Sequence, residues 1–452
     1  MVCEYTACQA GGVGVLIYCT QLKGAKGDKV MAAVVTYEHG ILPFQQFVDS
    51  LHATRPEHFL NVAHSRIADE QSFSDIHSHL TDYYAGAEAA HSFVDANGSI
   101  FDCMPVEKQY SLRGKTAAVA SPPDLPTDRY AAQPPSPAKH IVQLHASLTD
   151  PLGNTMLAPE GTVPVRRLTF ENLARFRTLR EFFQKSPGRT GSAAPPGAGG
   201  SGSPAVAATH RWAHAAQAVN NLGGASFINV WDPAIGANQV FSLAQHWYVG
   251  GGGSGLQTAE VGWQVYPQLY GNTKPVFFIY WTADDYTSTG CYNLSCQAFV
   301  QTNNKWAIGG ALAPWSVSGG AQQEIKFAYY LHQNNWWLYA GGETGADAVG
   351  YYPTSIYRGG AMATQASEID YGGEVVGTTS WPAMGGGAFA NAGWQHAAYQ
   401  RDINYFPTAG GRATAALTAS ATSPQCYTAS MVKYNAPWNE TIWFGGPGGN
   451  NC

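Results

Sequence analysis

Charge is what this chain has least of. Asp, Glu, Lys and Arg make up 12% of its 452 residues and the formal net charge is -6, so there is no basic track for nucleic acid or for an anionic membrane surface. Long apolar runs are lacking too. The opening MVCEYTACQAGGVGVLIYCTQLKG carries Glu4, has no basic n-region and is too thinly apolar for a secretory core or a membrane span; export is then directed otherwise, or the start lies elsewhere. No HExxH, GxSxG or P-loop occurs, which removes the common zinc-peptidase, serine-hydrolase and nucleotide-binding readings. The run GGGGSG from Gly250 to Gly255 fits GxGxxG formally, but the strand-like AEVGWQV follows it, so it reads as a loop connection and not a phosphate cradle.

Tryptophan is absent from the first part of the chain. All 13 lie between Trp212 and Trp443, whereas nine of the 14 histidines precede His210. Two compositions imply two units, and the length allows each a proper core. From Ala205 onward there are only 8 Lys/Arg and 12 Asp/Glu, as suits a large β-protein covered by aromatics and small residues. Of the eight cysteines, Cys291 and Cys296 close a short loop in GCYNLSC, and Cys426 and Cys452 bracket the C-terminal stretch. An even count without CxxC or neighbouring histidines favours two disulfides over a zinc site. Sequons at Asn97, Asn293 and Asn439 agree weakly with an extracytoplasmic life.

Two breaks organise the chain. Ser121–Lys139 is proline-rich and predicts an extended linker; SPGRTGSAAPPGAGGSGSP, from Ser186 to Pro204, predicts a flexible one, both open to proteases. Between them TFENLARFRTLREFFQK places Phe170, Leu173, Phe176, Leu179, Phe182 and Phe183 at helical spacing after a Thr169 cap, with Arg175, Arg177 and Arg180 on the polar face. The divisions are 1–85 unassigned, 86–187 a smaller mixed α/β region, 188–204 linker, and 205–452 the main domain. That domain consists of short alternating runs separated by glycine clusters, which predicts an all-β antiparallel sandwich.

Scarce carboxylates are the informative ones. In LQTAEVGWQVYP alternation puts Glu260, Gly262 and Gln264 on one face and Val261, Trp263 and Val265 on the other. The second set needs a core, so Glu260 and Gln264 look elsewhere. In DYGGEVVG, Glu374 shares its face with Gly372 and Val376, and in VFSLAQHWYV Gln245 shares one with Phe241, Leu243 and Trp247. Each strand offers a glutamate beside a glycine, a way to leave room for substrate backbone. Blandly, either glutamate could project to solvent, as most strand carboxylates do.

At these residues the chain resembles the neprosin family of glutamic peptidases, through FINVWDP, FSLAQHW, AEVGWQV, VFFIYWTADDYTSTGCYNLSC, NNWWL, VGYYP, YGGEVVG and WFGGPGGNNC, in order from about His210 to Cys452. Upstream, SFVDANGSIFDCMPVEKQYSLR and GTVPVRRLTFENL are similar to the family's pro-region, which implies that 86–187 is an activation region. The resemblance implies a secreted, acid-acting endopeptidase that cleaves after proline, is made as a zymogen, and needs no cofactor or metal. It further implies that Glu260 and Glu374 are the catalytic pair and that the disulfides are Cys291–Cys296 and Cys426–Cys452.

Facing carboxyls would share a proton at acid pH and serve as general acid and base toward a water. Gln245 and Gln264 are candidates to position that water or the oxyanion, and Tyr280, Trp281 and Tyr286 to wall a proline slot. Arg166 and Arg167, or the arginines after them, are candidates to hold the pair blocked until acid releases them, with Pro195, Pro196 and Pro204 as cut points. Partners are proline-containing peptides, with no nucleic acid or membrane, and a monomer is expected. A β-sandwich glycoside hydrolase, or a sandwich that binds carbohydrate or cell wall without turnover, stands as the alternative.

Overall fold

The computed structural model describes residues 40–115, 118–126, 135–186 and 208–452. Among them the part up to Ser186, called the leader below for its place in the chain, contains α1 (Phe44–Ala53), α2 (Glu70–Tyr84), α3 (Phe170–Leu173) and α4 (Leu179–Phe183), with strands β1 (His91–Val94), β2 (Ile100–Pro105), β3 (Lys139–His140) and β4 (Thr162–Arg166). Asp69 caps α2 by accepting from Ser72 N at 2.8 Å. The helix buries Phe73, Ile76, Leu80 and Tyr84 at helical spacing, and Phe73 stacks on Phe170 with ring centroids 5.3 Å apart. Strands β1, β2 and β4 form a small antiparallel sheet. Buried Arg167 clamps Asp102 on its central strand through two bonds of 2.9 and 2.6 Å.

The run predicted as one helix after Thr169 is two, α3 and α4. Thr169 and Thr178 each cap one, accepting from Asn172 N and Glu181 N. The break has a local cause: Ala174 O and Arg177 O accept from Arg66 N and Ala68 N instead of serving a continuing helix.

Beyond the leader come β5 (Thr209–Asn229), β6 (Gln239–Gly250), β7 (Gln257–Val265), β8 (Val276–Thr282), β9 (Cys291–Tyr292), β10 (Val300–Gln301), β11 (Gln323–His332), β12 (Asn335–Ala340), β13 (Ala348–Pro353), β14 (Ala366–Gly377), β15 (Ala398–Pro407), β16 (Ala413–Thr414), β17 (Thr418–Ala421), β18 (Thr428–Lys433) and β19 (Glu440–Gly445). The first half of β5 pairs with β14 on one side and β17 on the other, and β14 leads on through β6, β7 and β8 to β9. Its second half pairs with β11 and β15, from which β12, β13 and β10 extend one way and β19 and β18 the other. One long strand thus belongs to two antiparallel layers, which close on each other as the predicted sandwich.

Aromatics fill the space between the layers. Phe277 stacks on Phe327 at 4.9 Å and Tyr248 meets Tyr329 at 5.8 Å, while Trp263 Nε1 donates to Asn229 O at 2.9 Å. Val261, Trp263 and Val265 face this interior, as their alternation requires. Both disulfides are formed, Cys291–Cys296 and Cys426–Cys452.

The other face of the β14–β6–β7–β8 layer is a grid set by register. Asp370, Trp247, Glu260 and Tyr280 form one row; Gly372, Gln245 and Gly262 the next; Glu374, Leu243 and Gln264 the third. The two glycines do not hold space open for a substrate. A Cβ on Gly262 would stand 1.9 Å from Ala244 O, and one on Gly372, where φ is +152°, would stand 2.5 Å from Ala213 O. Neighbouring backbone already occupies those positions.

The first predicted linker is docked where it is described. Leu125 is buried and its N–H donates to Glu343 O at 2.9 Å; Tyr339 OH donates to Pro123 O, and β3 pairs in parallel with β11. The second lies outside the described residues beyond Ser186, including Pro195, Pro196 and Pro204. The sequon amides are engaged: Asn97 Nδ2 with Pro275 O, Asn293 Nδ2 with Tyr270 OH, and Asn439 Nδ2 with Asp402 Oδ1.

Gly262→Ala forces a methyl into the β6 backbone. Such overpacking costs about 1–3 kcal/mol, and calorimetry of the full chain should show the Tm lowered by roughly 3–10 °C.

Candidate active site

Glu260 on β7 and Glu374 on β14 point to the same face with β6 between them, and neither carboxylate has any exposed surface. The leader covers them. After α4 the chain becomes extended at Gln184 (φ -67°, ψ 148°) and lays Lys185 and Ser186 across the grid. Lys185 Nζ donates to Glu260 Oε2 at 2.6 Å and stands 3.0 Å from Glu374 Oε2, without an aligned hydrogen bond to the second oxygen. Its ammonium also lies 5.3 Å from the Trp247 ring centroid and 5.6 Å from that of Tyr286. Unpaired, each of these buried charges would cost several kcal/mol; one cation between two anions offsets that cost.

The two glutamates have different further partners. Glu260 Oε1 accepts from Tyr286 OH at 2.8 Å and Thr258 Oγ1 at 2.9 Å, and its Oε2 accepts from Gln245 Nε2 at 3.0 Å. Glu374 Oε1 meets His210 Nδ1, and His210 Nε2 lies 3.0 Å from Ser186 Oγ in the leader. Burial pushes the Glu374 carboxyl up, but the Lys185 ammonium and His210 outweigh it and hold the group below its ordinary value. Beside the strap, an open cleft of about 590 Å³ between leader and main domain is lined by His79, Arg180, Phe183 and Tyr286.

Of the residues singled out from sequence, Glu260, Glu374, Gln245 and Tyr286 come together. Tyr280 borders them, stacked on Tyr286 at 5.9 Å. Gln264 does not reach the glutamates; it bonds Tyr292 OH and Tyr270 OH. Trp281 is on the opposite face, packed toward Tyr352 and Tyr357 in the sandwich interior.

The cation over the pair is a lysine and not the proposed arginines. Arg166 donates to Tyr270 O, Arg167 is occupied by Asp102, and Arg180 donates to Thr287 O. Lys185, His210, Trp247 and Thr258 escaped the sequence reading. Alternation in HRWAH, which puts His210, Trp212 and His214 on one face, could have pointed to His210; Lys185 left no such signal.

An all-β sandwich with two buried carboxylates gathered on one sheet face is the class that fold and site define. Residues 238–447 match the family model described as Neprosin, so the chain carries a domain similar throughout that span to the neprosin family of glutamic peptidases. Among solved structures, it is similar to scytalido-glutamic peptidase with a transition-state analogue inhibitor, at 9% identity and TM-score 0.30 over 53% of this chain and 99% of that one. It is also similar to SCP-B, a member of the eqolisin family of peptidases in a complex with the tripeptide Ala-Ile-His, at 7% identity and TM-score 0.27 over the same shares. No helix among the described residues is long and apolar enough to cross a membrane.

A carboxyl whose folded pKa is depressed below its ordinary 4.5 contributes stability that is complete above that value and lost as pH falls through the folded pKa. The thermal stability of the full chain should therefore fall on acidification below about pH 4.5. Lys185→Met should remove that acid-side loss and lower stability at pH 7 by about 3–5 kcal/mol, because the carboxylates remain buried without their cation.

Proposed function

We propose that the chain is the precursor of an acid-acting endopeptidase that hydrolyses peptide bonds after proline, with Glu260 and Glu374 as its catalytic pair. The observation that carries this reading is a single ammonium, Lys185 Nζ, seated on two buried carboxylates from separate strands. When the leader leaves, the carboxylates face each other without their cation. Two such groups cannot both ionise cheaply, so one pKa rises and at acid pH they hold one proton between them.

The chemistry follows from that shared proton. The ionised glutamate takes a proton from a water as it attacks the scissile carbonyl, and the protonated one donates to the leaving nitrogen. Gln245, already 3.0 Å from Glu260 Oε2, orients the water or the developing oxyanion. Trp247 and Tyr286, whose rings flank the Lys185 ammonium, supply an apolar slot that a rigid pyrrolidine ring fills at little entropic cost.

Lys185 makes the precursor latent. Acid protonates the pair, the attraction for Lys185 falls, and the leader dissociates; cleavage in 188–204 then makes release irreversible. The two disulfides suit an oxidising, extracellular compartment. Close carboxylates also serve retaining glycoside hydrolases, so substrate and not spacing distinguishes the two.

Digestion of a proline-containing peptide set over about pH 2–8 should give cuts after proline with an acid optimum. Glu260→Gln and Glu374→Gln should each lower turnover by at least about 100-fold while the variants still melt cooperatively. Substantial activity in either folded variant removes that residue from the mechanism. Mass spectrometry of acid-treated full chain should show a new N-terminus at Pro196, Gly197 or Ala205, after Pro195, Pro196 or Pro204; an intact yet active chain would show that latency is not relieved by cleavage.

A further inference from the structure

We infer that Tyr280 and Tyr292 form a main-chain clamp for the substrate, and that Phe183–Ser186 occupies this clamp as a pseudosubstrate. The inference rests on the peptidase reading and extends it to how a peptide is held. Tyr280 on β8 and Tyr292 on β9 are register partners, with ring centroids 4.7 Å apart. Tyr280 OH donates to Phe183 O at 3.0 Å and Tyr292 OH donates to Lys185 O at 2.8 Å. Carbonyls two residues apart in an extended chain point the same way, about 6.5–7 Å from each other, and Gln184 between them is extended. The pair of hydroxyls therefore reads backbone alone, and any extended peptide can satisfy it.

The clamp is braced from behind. Gln264 Nε2 donates to Tyr292 OH at 3.2 Å and its Oε1 accepts from Tyr270 OH at 3.3 Å. With one lone pair of the Tyr292 hydroxyl engaged, its proton is aimed at the peptide. Gln264 is thus a positioning residue that acts through Tyr292, which explains a buried strand amide two residues from Gly262 that reaches neither glutamate.

The strap escapes cleavage because of what it places at the catalytic pair. Its backbone is held at the clamp, and only the end of the Lys185 side chain reaches Glu260 and Glu374. In the described part of the strap, what meets both carboxylates is the Lys185 ammonium and not a peptide bond. A substrate gripped at the same two carbonyls and running in the same direction continues past Tyr292 toward Ser186's position at His210 and Glu374. The clamp therefore holds residues on the N-terminal side of the scissile bond.

The test uses acid-activated full chain and peptides of increasing length on the N-terminal side of one proline. Tyr292→Phe and Tyr280→Phe should each raise KM about three- to tenfold for long peptides, the loss expected for one hydrogen bond, with kcat changed little and the shortest peptides unaffected. The synthetic peptide FFQKS, the sequence of residues 182–186, should inhibit competitively. Reducing the carbonyl of its lysine residue to a methylene should weaken inhibition of the wild type by the same factor, and Tyr292→Phe should not suffer that second loss. Equal KM in wild type and both variants across all lengths, or no inhibition by FFQKS, overturns the clamp and leaves the peptidase reading intact. Absence of any peptide cleavage by activated wild type overturns the peptidase reading, and the clamp with it.

Discussion

A lysine ammonium between two carboxylates, all without exposed surface, is the interaction on which the organisation of this molecule turns. Such a triple is tolerable only if the cation is delivered accurately, because leaving any of the charges unpaired in a dry site is costly. Much of the leader can be understood as delivery. The early stop of α4, the extended Gln184 and the two carbonyls held by Tyr280 and Tyr292 together set where Lys185 Nζ ends. The clamped Asp102–Arg167 pair and the α2–α3 packing give that strap a firm base.

The sandwich divides its labour by face. Aromatics between the layers make the β14–β6–β7–β8 sheet rigid, and the outer face of the same strands carries Glu260, Gln245, Trp247 and Glu374. Each strand thus contributes alternately to core and to site. The outer face is polar for a β-protein interior, and the leader is what excludes water from it. Removing the leader would turn a buried ion cluster into a cleft without rebuilding any strand.

Several features were legible before any tertiary information. Alternation assigned Val261, Trp263 and Val265 to a core face and Glu260 and Gln264 to the other, and strand faces follow from chain geometry alone. Cysteine spacing favoured the two disulfides that form. Alternation set Glu374 on one face with Gly372 and Val376, and its pairing with Glu260 came from likeness to a family and not from periodicity. Other readings failed for physical reasons. The helical spacing after Thr169 is genuine, but Arg66 and Ala68 take the carbonyls a single helix would need. The proline-rich stretch was read as free, yet its Leu125 and Pro123 find partners on the main domain.

Sequence by itself therefore determined which residues share a strand face, that the main domain is built of antiparallel strands, and that two scarce glutamates each lie beside a glycine on such a face. Only the tertiary structure decided that Glu260 and Glu374 meet across β6, that Trp281 turns inward while Tyr280 borders the site, and that Lys185 is the bridging cation where arginines were anticipated. The reason is that alternation is a property of one strand, whereas register between strands and the path of a strap depend on contacts between segments far apart in the chain. A lysine at the end of an arginine-rich run is unremarkable in sequence. It becomes the bridging cation only because the fold carries it to two buried carboxylates from separate strands.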